Sequence, residues 1–279
     1  MNSRNNLGYH FVLLILLLFS FNSYAQNTEV IKDSAIGVPS FSEDFLSGYH
    51  TGIKIVSAPF KFDEKDWIIT GSVLSASALA YLLDEDSRSF WKRNQNKTLD
   101  EISKVAKAYG EISYAAIFSG SLYLGGKLFK NKNVSITGRM LLEGLFYAGL
   151  TSTIIKTVSG RSRPYTNDGY NRFKPFQTEI AYTSFPSGHV TVAFTLSSIL
   201  SSRIDNDYAT IGLYALASST FMQRMYSDSH WFSDTVLAAA IGYFIGKAVV
   251  KFDDDSNNNI SFTPYLIPNG AGVSFSYSL

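Results

Sequence analysis

The chain has 279 residues, a formal net charge of +1 and no cysteine. The near-neutral charge argues against a nucleic-acid partner or a strongly basic membrane-binding face, and the lack of cysteine excludes disulfides, thiolate nucleophiles and cysteine metal ligands. Hydrophobic residues make up 46% of the chain and charged residues 17%, while the mean hydropathy is only +0.03. The length fits one main domain, and the distribution of the apolar residues must decide whether that domain is embedded in a membrane.

The first 25 residues have the layout of an export signal. Arg4 provides a positive flank, an apolar run extends from Phe11 to Phe21, and Ser23-Tyr24-Ala25 ends in a small residue. This pattern predicts a secretory signal peptide over 1–25, cleaved after Ala25, with an uncleaved signal anchor as the alternative. Either alternative directs the chain to the bacterial cell envelope.

Residues 26–66 are mixed in character and show no sustained helical period. Ile53, Ile55 and Ser57 alternate with other residues there, which is a weak strand signal. We therefore interpret 26–66 as an N-terminal envelope segment.

Six long apolar segments rich in Gly, Ala and Ser follow: Trp67–Leu83, Ile112–Phe129, Met140–Val158, Val190–Ser202, Tyr208–Met222 and Thr235–Val250. They are longer than usual strands, and their small residues are typical of closely packed helices. The predicted fold class is all-α, a membrane-embedded six-helix bundle over 67–252. The charged stretches Asp84–Asp100, Lys130–Arg139 and Arg203–Asp207 are predicted to be solvated loops.

The last 27 residues, 253–279, have a different character. A run of aspartates and asparagines from Asp253 to Asn259 is typical of a linker. The turn signal Pro268-Asn269-Gly270 then precedes a segment in which apolar residues alternate with serine, ending at Leu279. This alternation predicts a short C-terminal β-hairpin.

The first cluster of chemistry-bearing residues lies at the end of the third apolar segment. Lys156 is near its carboxyl end, and Arg161 and Arg163 follow beyond Gly160, a residue typical of helix ends. Arginine suits phosphate because its planar guanidinium can donate two hydrogen bonds to two oxygens. Lys156 taken alone is more typical of a lysine that interacts with the helix dipole or reaches to the surface.

The second cluster, Pro186-Ser187-Gly188-His189, directly precedes the fourth apolar segment. A helix N-terminus offers free backbone N–H groups and the positive end of a dipole, so it can bind an anion. Ser187 can either cap the helix or donate to an oxyanion, and Gly188 allows close approach of the backbone. An ordinary N-cap with a surface histidine is the structural alternative.

In the third cluster, His230 and Asp234 are four residues apart at the start of the last apolar segment, so they share one helix face. A carboxylate one turn away can accept the Nδ1 proton of His230 and leave Nε2 as a lone pair for nucleophilic attack. Arg224 ends the preceding segment and can reach the same pocket. A His–Asp pair that only caps the helix is the alternative.

Together the clusters resemble the signature of the type 2 phosphatidate phosphatase superfamily, which also includes bacterial non-specific acid phosphatases and vanadium haloperoxidases. The matching strings are KTVSGRSRP (156–164), PSGH (186–189) and QRMYSDSHWFSD (223–234). The core positions are filled in order and with the family's spacing. Gln223 departs from the pattern, since the family usually has serine there, and this puts fine substrate positioning in doubt.

The resemblance implies a metal-independent phosphatase without a cofactor, in which lysine and arginine supply the positive charge. Five groups would hold the phosphate oxygens: Lys156, Arg163, Arg224, Ser187 and the Gly188 N–H. His230 would attack phosphorus and form a phosphohistidine, supported by Asp234, and His189 would protonate the leaving oxygen. In membrane members the site lies at the end of a helical bundle that faces away from the cytosol.

Other functions stay open. A lipid phosphotransferase, a vanadate-dependent haloperoxidase and a soluble periplasmic acid phosphatase use the same residues. A non-catalytic anion-binding envelope protein would not need the His–His–Asp set, and a metal site of His189, His230 and Asp234 would leave the three cations unexplained. We expect a phosphoester substrate, above all a lipid phosphate, in a membrane with the site facing the periplasm. Membrane lipids are the further expected partner, with no nucleic acid and no required protein partner.

Overall fold

The computed structural model describes residues 37–257, 260–267 and 270–277. The predicted signal segment and its cleavage point lie outside these residues. Within them, nine α-helices follow one another: α1 (Phe41–Ser57), α2 (Glu64–Leu82), α3 (Asp84–Arg93), α4 (Lys97–Tyr109), α5 (Ile112–Leu128), α6 (Lys132–Ser159), α7 (Gly188–Ile204), α8 (Asp207–Tyr226) and α9 (Phe232–Asn257). The predicted all-α class is confirmed for this helical region.

The predicted number of six helices is wrong, because the described residues contain three further helices. Helix α1 occurs in the N-terminal segment, where a weak strand signal was found, and α3 and α4 occur in and after the charged stretch predicted to be a loop. Helix α1 begins at a capping box in which the Ser40 hydroxyl accepts from Glu43 N and the Glu43 carboxylate accepts from Ser40 N. Helix α4 begins at Asn96, whose side chain accepts from Leu99 N at 3.0 Å. The added helices α1, α3 and α4 carry many charged and polar residues, so a search for apolar runs does not detect them.

Helix α7 lies at the centre of the bundle and packs against α6, α8 and α9. Small residues permit this close approach. A Cβ on Gly144 of α6 would lie 2.5 Å from Ile199 Cδ1, and one on Gly242 of α9 would lie 2.5 Å from Thr191 O. The buried core follows the same contacts and includes Met140, Leu141, Ala193, Ile199 and Leu200.

At one end of the bundle, a buried charge network attaches α1 to α6 and α9. Arg139 of α6 contacts Asp44 of α1 at 3.1 Å, Glu143 at 3.0 Å and Asp253 of α9 at 2.5 Å. Because α6 to α9 run up and down in sequence, the end of α6 and the starts of α7 and α9 meet at the opposite end. The predicted catalytic residues belong to that opposite end.

Among the described residues, one helical stretch, Phe232–Asp253, has the length and hydropathy to cross a membrane. The pair α2 and α3, bent by 57°, reaches the same criterion when taken together. Beyond α9, strands β1 (Ile260–Ile267) and β2 (Gly270–Tyr277) pair antiparallel, with Ile260 opposite Tyr277 and Ile267 opposite Gly270. The residues between them, 268–269, lie outside the described part of the chain.

Candidate active site

The segment from Gly160 to Ser187 connects α6 to α7 and organises the site. Gly160 ends α6 in the left-handed conformation, with φ of 56°. A Cβ at this position would lie 1.6 Å from the Lys174 carbonyl oxygen, so only glycine allows the segment to fold back against the end of the helix. The Arg163 N–H donates to Ala181 O at 2.8 Å and the Ser184 N–H to Arg161 O at 3.0 Å, which fixes the return path.

His230 precedes α9 and is buried, with 3% of its surface exposed. Its Nδ1 lies 2.7 Å from the Ser184 carbonyl oxygen. Asp234 Oδ2 is 3.6 Å from the same nitrogen, which is too far for a hydrogen bond. The Nδ1–H therefore donates to the main chain of residue 184. The sequence predicted Asp234 as its acceptor, and that prediction is wrong for the hydrogen bond. In this tautomer Nε2 carries the lone pair.

The carboxylate of Asp234 is fully engaged with other donors. Arg161 Nη1 donates to Oδ1 at 2.7 Å. The Ser184 hydroxyl donates to Oδ2 at 2.5 Å and the Trp231 N–H donates to it at 2.9 Å. Asp234 is completely buried, and these bonds fix its position beside the imidazole ring.

Arg161 lies in the predicted basic loop, but it does not face the phosphate-binding groups. Its guanidinium is buried between two carboxylates, with Nη2 2.6 Å from Asp84 Oδ2 and Nη1 2.7 Å from Asp234 Oδ1. Asp84, the first residue of α3, also accepts from the Ser233 N–H at 2.9 Å. Helix α3, which the sequence analysis did not predict, thus supports the Asp234 side of the site.

The other cations have weak partners or main-chain partners. Lys156 Nζ donates to Thr183 O at 2.8 Å and to Pro186 O. Arg163 reaches Thr183 only at 3.4 Å and 3.5 Å. Arg224 donates to the side-chain oxygen of Gln223 at 3.3 Å, so the residue that departs from the family pattern holds one of the cations.

Three buried donors at this site have no hydrogen-bond partner among the described residues, namely Arg163 Nε, Arg224 Nε and Ser187 Oγ, and the ring nitrogen Nε2 of His189 has none either. Ser187 is the N-cap residue of α7 by its backbone, but its hydroxyl does not cap the helix. Unsatisfied buried donors are costly and usually have a functional reason. Their convergence at a helix N-terminus is what an anion with several oxygens would satisfy.

The electrostatic environment keeps both imidazoles neutral in the free protein. Burial lowers the pKa of His230 well below its ordinary value, and the cations Arg163, Lys156 and Arg224 lower it further against the opposing effect of Asp234. Burial and nearby cations lower the pKa of His189 to about 3. Burial also lowers the pKa of Arg224 to about 10, which leaves it cationic at neutral pH.

A cavity of about 200 Å³ adjoins the predicted phosphate-binding groups. Lys156, Gly188 and His189 line it on the polar side, and apolar or small residues of α5, α6 and α7, such as Leu145 and Val192, line the remainder. The site therefore combines a cationic end with an adjacent apolar space.

The structure brings together all eight residues predicted for the site: Lys156, Arg163, Ser187, Gly188, His189, Arg224, His230 and Asp234. Three further contributors were missed, namely Asp84, Glu111 and Ser184. Ser184 orients His230 through its carbonyl oxygen, which any residue possesses, so the identity of the residue gives no signal for this contact. Asp84 contacts Arg161, and Oε2 of Glu111 lies 3.3 Å from Nε2 of His189. Both are far from the motifs in sequence and reach the site only through the packing of α3 and α5.

Comparison with known proteins places these features in context. Residues 138–258 match the model of the PAP2 superfamily. A lipid A 1-phosphatase of Porphyromonas gingivalis is 25% identical over 252 residues, which cover 85% of this chain and 49% of that protein. A lipid A 1-phosphatase of Rhizobium etli is 27% identical over 158 residues, covering 51% of this chain and 66% of that protein. The chain thus spans less than two thirds of the length of these relatives.

A solved structure also resembles the fold. The crystal structure of a transmembrane PAP2-type phosphatidylglycerolphosphate phosphatase from Bacillus subtilis aligns with a TM-score of 0.52 and 19% identity. The alignment covers 66% of this chain and 95% of that one. At this identity the likeness concerns the fold alone.

Proposed function

Through residues 138–258 the chain is a member of the PAP2 superfamily, and from that premise we propose that it is a phosphatase acting on a lipid phosphate through a phosphohistidine. The observation that carries the proposal is the group of buried donors without partners among the described residues: Arg163 Nε, Arg224 Nε and Ser187 Oγ. A phosphate group has enough oxygens to accept from all of them, and guanidinium groups suit its geometry.

The nucleophile in this proposal is Nε2 of His230. The 2.7 Å bond from Nδ1 to Ser184 O places the proton on Nδ1 and leaves the Nε2 lone pair available. Because the pKa of His230 is lowered, the imidazole is neutral at neutral pH and can attack. As the N–P bond forms, positive charge develops on the ring, and the Asp234 carboxylate 3.6 Å away stabilises it.

His189 is the proposed proton donor to the leaving oxygen, and it takes up its proton once the negative charge of the bound phosphate offsets the surrounding cations. It lies in the first turn of α7 with 25% of its side chain exposed, at the border between the phosphate-binding groups and the cavity. After the leaving group departs, the neutral imidazole can accept a proton from the attacking water. Lys156, Arg163, Arg224, Ser187 and the Gly188 N–H would hold the three remaining oxygens.

The positive charge in this scheme comes from lysine and arginine, which supports the expected independence from metal ions. The alternative metal site of His189, His230 and Asp234 does not suit the geometry. Arg161, Ser184 and Trp231 already donate to the Asp234 carboxylate, and Nδ1 of His230 is bonded to the main chain. Neither side chain can turn to a metal ion without losing buried hydrogen bonds.

A lipid substrate is supported by three features. The cavity of about 200 Å³ extends from the phosphate-binding groups into a region lined by apolar and small side chains. Large apolar side chains are exposed on the outer helices, among them Phe45, Trp67, Leu128 and Tyr208, as in a protein surface that faces lipid. The relatives include two lipid A 1-phosphatases. We propose placement in the bacterial envelope membrane, with the site at the periplasmic face because of the export signal predicted for 1–25.

Phosphate release from a panel of lipid and soluble monoesters by the detergent-purified protein tests the proposal. Wild type is expected to form an acid-labile phosphoenzyme, and His230→Ala to form none and to lose turnover by at least about 10⁴-fold. His50→Gln, on α1 and outside the three motifs, is the matched histidine control and should retain activity. Substantial activity in His230→Ala, or loss of wild-type activity in EDTA with recovery on one divalent ion, would overturn the mechanism.

The same panel separates the remaining alternatives. Free inorganic phosphate as the main product supports a hydrolase, whereas phosphate recovered on an added alcohol or lipid acceptor supports a phosphotransferase. Equal rates on lipid and small soluble esters, with release of the protein by osmotic shock, would contradict the lipid substrate and the membrane placement.

A further inference from the structure

Glu111 lies at the site but belongs to none of the three motifs. It is the N-cap residue of α5, yet its side chain makes no capping hydrogen bond. Instead, its Oε2 lies 3.3 Å from Nε2 of His189, with 31% of the glutamate side chain exposed. This contact lacks the alignment of a hydrogen bond, since His189 Nε2 has no hydrogen-bond partner among the described residues. The carboxylate therefore lies beside the imidazole without a hydrogen bond to Nε2.

The backbone fixes Glu111 in this place. A Cβ added to the preceding residue, Gly110, would lie 2.6 Å from the His189 carbonyl oxygen and 2.7 Å from Thr220 Cγ2. The junction between α4 and α5 therefore packs directly against His189 and α8, which only glycine permits. Glu111 follows immediately, so its approach to His189 is a consequence of main-chain packing.

The charges around His189 indicate how its contact with Glu111 affects the imidazole. Burial lowers the pKa of this imidazole, and four cations lower it further: Arg224, Lys107, Arg163 and Lys156. A neutral imidazole cannot give a proton to a leaving oxygen. A carboxylate close to the ring favours the charged form and opposes these cations. Glu111 also raises the pKa of Arg224, which burial and the neighbouring Arg163 lower.

We propose that Glu111 is a positioning residue for proton donation, its carboxylate holding His189 at the border of the cavity and favouring the protonated imidazole. The proposal rests on the phosphatase function proposed above. In the step concerned, the His230 Nε2–P bond forms, the bond from phosphorus to the leaving oxygen breaks, and the proton on His189 passes to that oxygen. Glu111 remains a carboxylate throughout.

The experiment compares two substrates that share one apolar chain: dodecyl phosphate, and a nitrophenyl phosphate that carries a dodecyl chain. The alkoxide of the first must be protonated as it leaves, whereas the nitrophenolate leaves without help. We compare kcat/KM of the full-length wild type, Glu111→Gln and Glu111→Asp in detergent, because kcat/KM reports the step in which the leaving group departs. Glu101→Gln on α4, with 71% of its side chain exposed, is the matched surface control.

Glu111→Gln is expected to lower kcat/KM for dodecyl phosphate by about tenfold or more, and for the nitrophenyl ester by less than about threefold. The basic limb of the pH profile with dodecyl phosphate should move to lower pH by roughly one unit. Glu111→Asp keeps the charge and should recover most of the loss, and Glu101→Gln should behave as wild type.

Equal losses on the two substrates, or no loss on dodecyl phosphate, would overturn the role of Glu111, since a structural role does not distinguish leaving groups. A pH profile that does not move in Glu111→Gln would overturn it as well. The proposed function itself fails in a different way, namely if wild type releases no phosphate from either ester, or if His230→Ala releases it as fast as wild type.

Discussion

Replacing Asp234 with asparagine separates two roles that a carboxylate beside a catalytic histidine can have. If Asp234 determined which ring nitrogen of His230 carries the proton, its loss would cost about 10⁴-fold, as in triads where the aspartate fixes the tautomer. Here the Ser184 carbonyl oxygen, at 2.7 Å, holds the Nδ1 proton instead. Asp234→Asn should therefore retain the reactive tautomer and lose only the electrostatic support of the charged ring.

The size of that support follows from the distances. Two unit charges 3.6 Å apart interact by about 4 to 5 kcal/mol at an effective dielectric constant of about 20. Arg161 is shared between Asp84 and Asp234, so it offsets roughly half of the charge of Asp234. About 2 kcal/mol remains, which corresponds to roughly a 30-fold loss in kcat/KM.

The assay is steady-state phosphate release at saturating and limiting substrate, together with a thermal melt to verify folding. Asp253→Asn is the matched control, because it removes a buried carboxylate that pairs with Arg139 at the opposite end of the bundle. It should destabilise the protein while it leaves kcat/KM within a few-fold of wild type. A folded Asp234→Asn protein that loses more than about 10³-fold, or less than about threefold, would refute this reasoning.

Two further predictions concern stability. Gly160→Ala places a Cβ 1.6 Å from the Lys174 carbonyl oxygen at a positive φ, and it should lower the free energy of unfolding by more than about 2 kcal/mol. The control is Gly120→Ala, whose Cβ would meet no atom within 4 Å and which should melt like wild type. Equal melting temperatures of the two variants would contradict the role of Gly160. Folding lowers the pKa of His230, so below about pH 6.5 the unfolded state binds a proton that the folded state does not. The free energy of unfolding therefore decreases as the pH falls, by up to about 1.4 kcal/mol per pH unit. His230→Gln should lack this component, and parallel pH profiles of unfolding for the two proteins would contradict it.

The motifs in the sequence predicted the residues of the site better than their interactions. Lys156, His189 and Arg224 meet because each lies at a helix end, and helix ends of an up-and-down bundle alternate. Arg163 joins them from the segment that connects α6 to α7. Residue spacing could not show that Nδ1 of His230 bonds to a carbonyl oxygen 46 residues away in sequence. A main-chain acceptor is the same in every residue, so the sequence does not indicate which carbonyl oxygen accepts the bond.

The fold shows the same limit in another form. The six apolar segments all became helices, because long runs rich in small apolar residues are typical of closely packed helices. Helices α1, α3 and α4 were missed since their polar faces interrupt the apolar pattern. The capping box at Ser40 and Glu43 and the side-chain cap at Asn96 were the local signals that could have identified α1 and α4.

The bond between His230 and the main chain of residue 184 has a consequence for how the protein can change over evolutionary time. Every amino acid supplies the same carbonyl oxygen, so no single substitution at position 184 can delete the acceptor that orients the nucleophile. Variation there affects only the hydroxyl that donates to Asp234. The path of the loop, and not the identity of its residue, is what selection must preserve, and Gly160 and Arg161 direct that path.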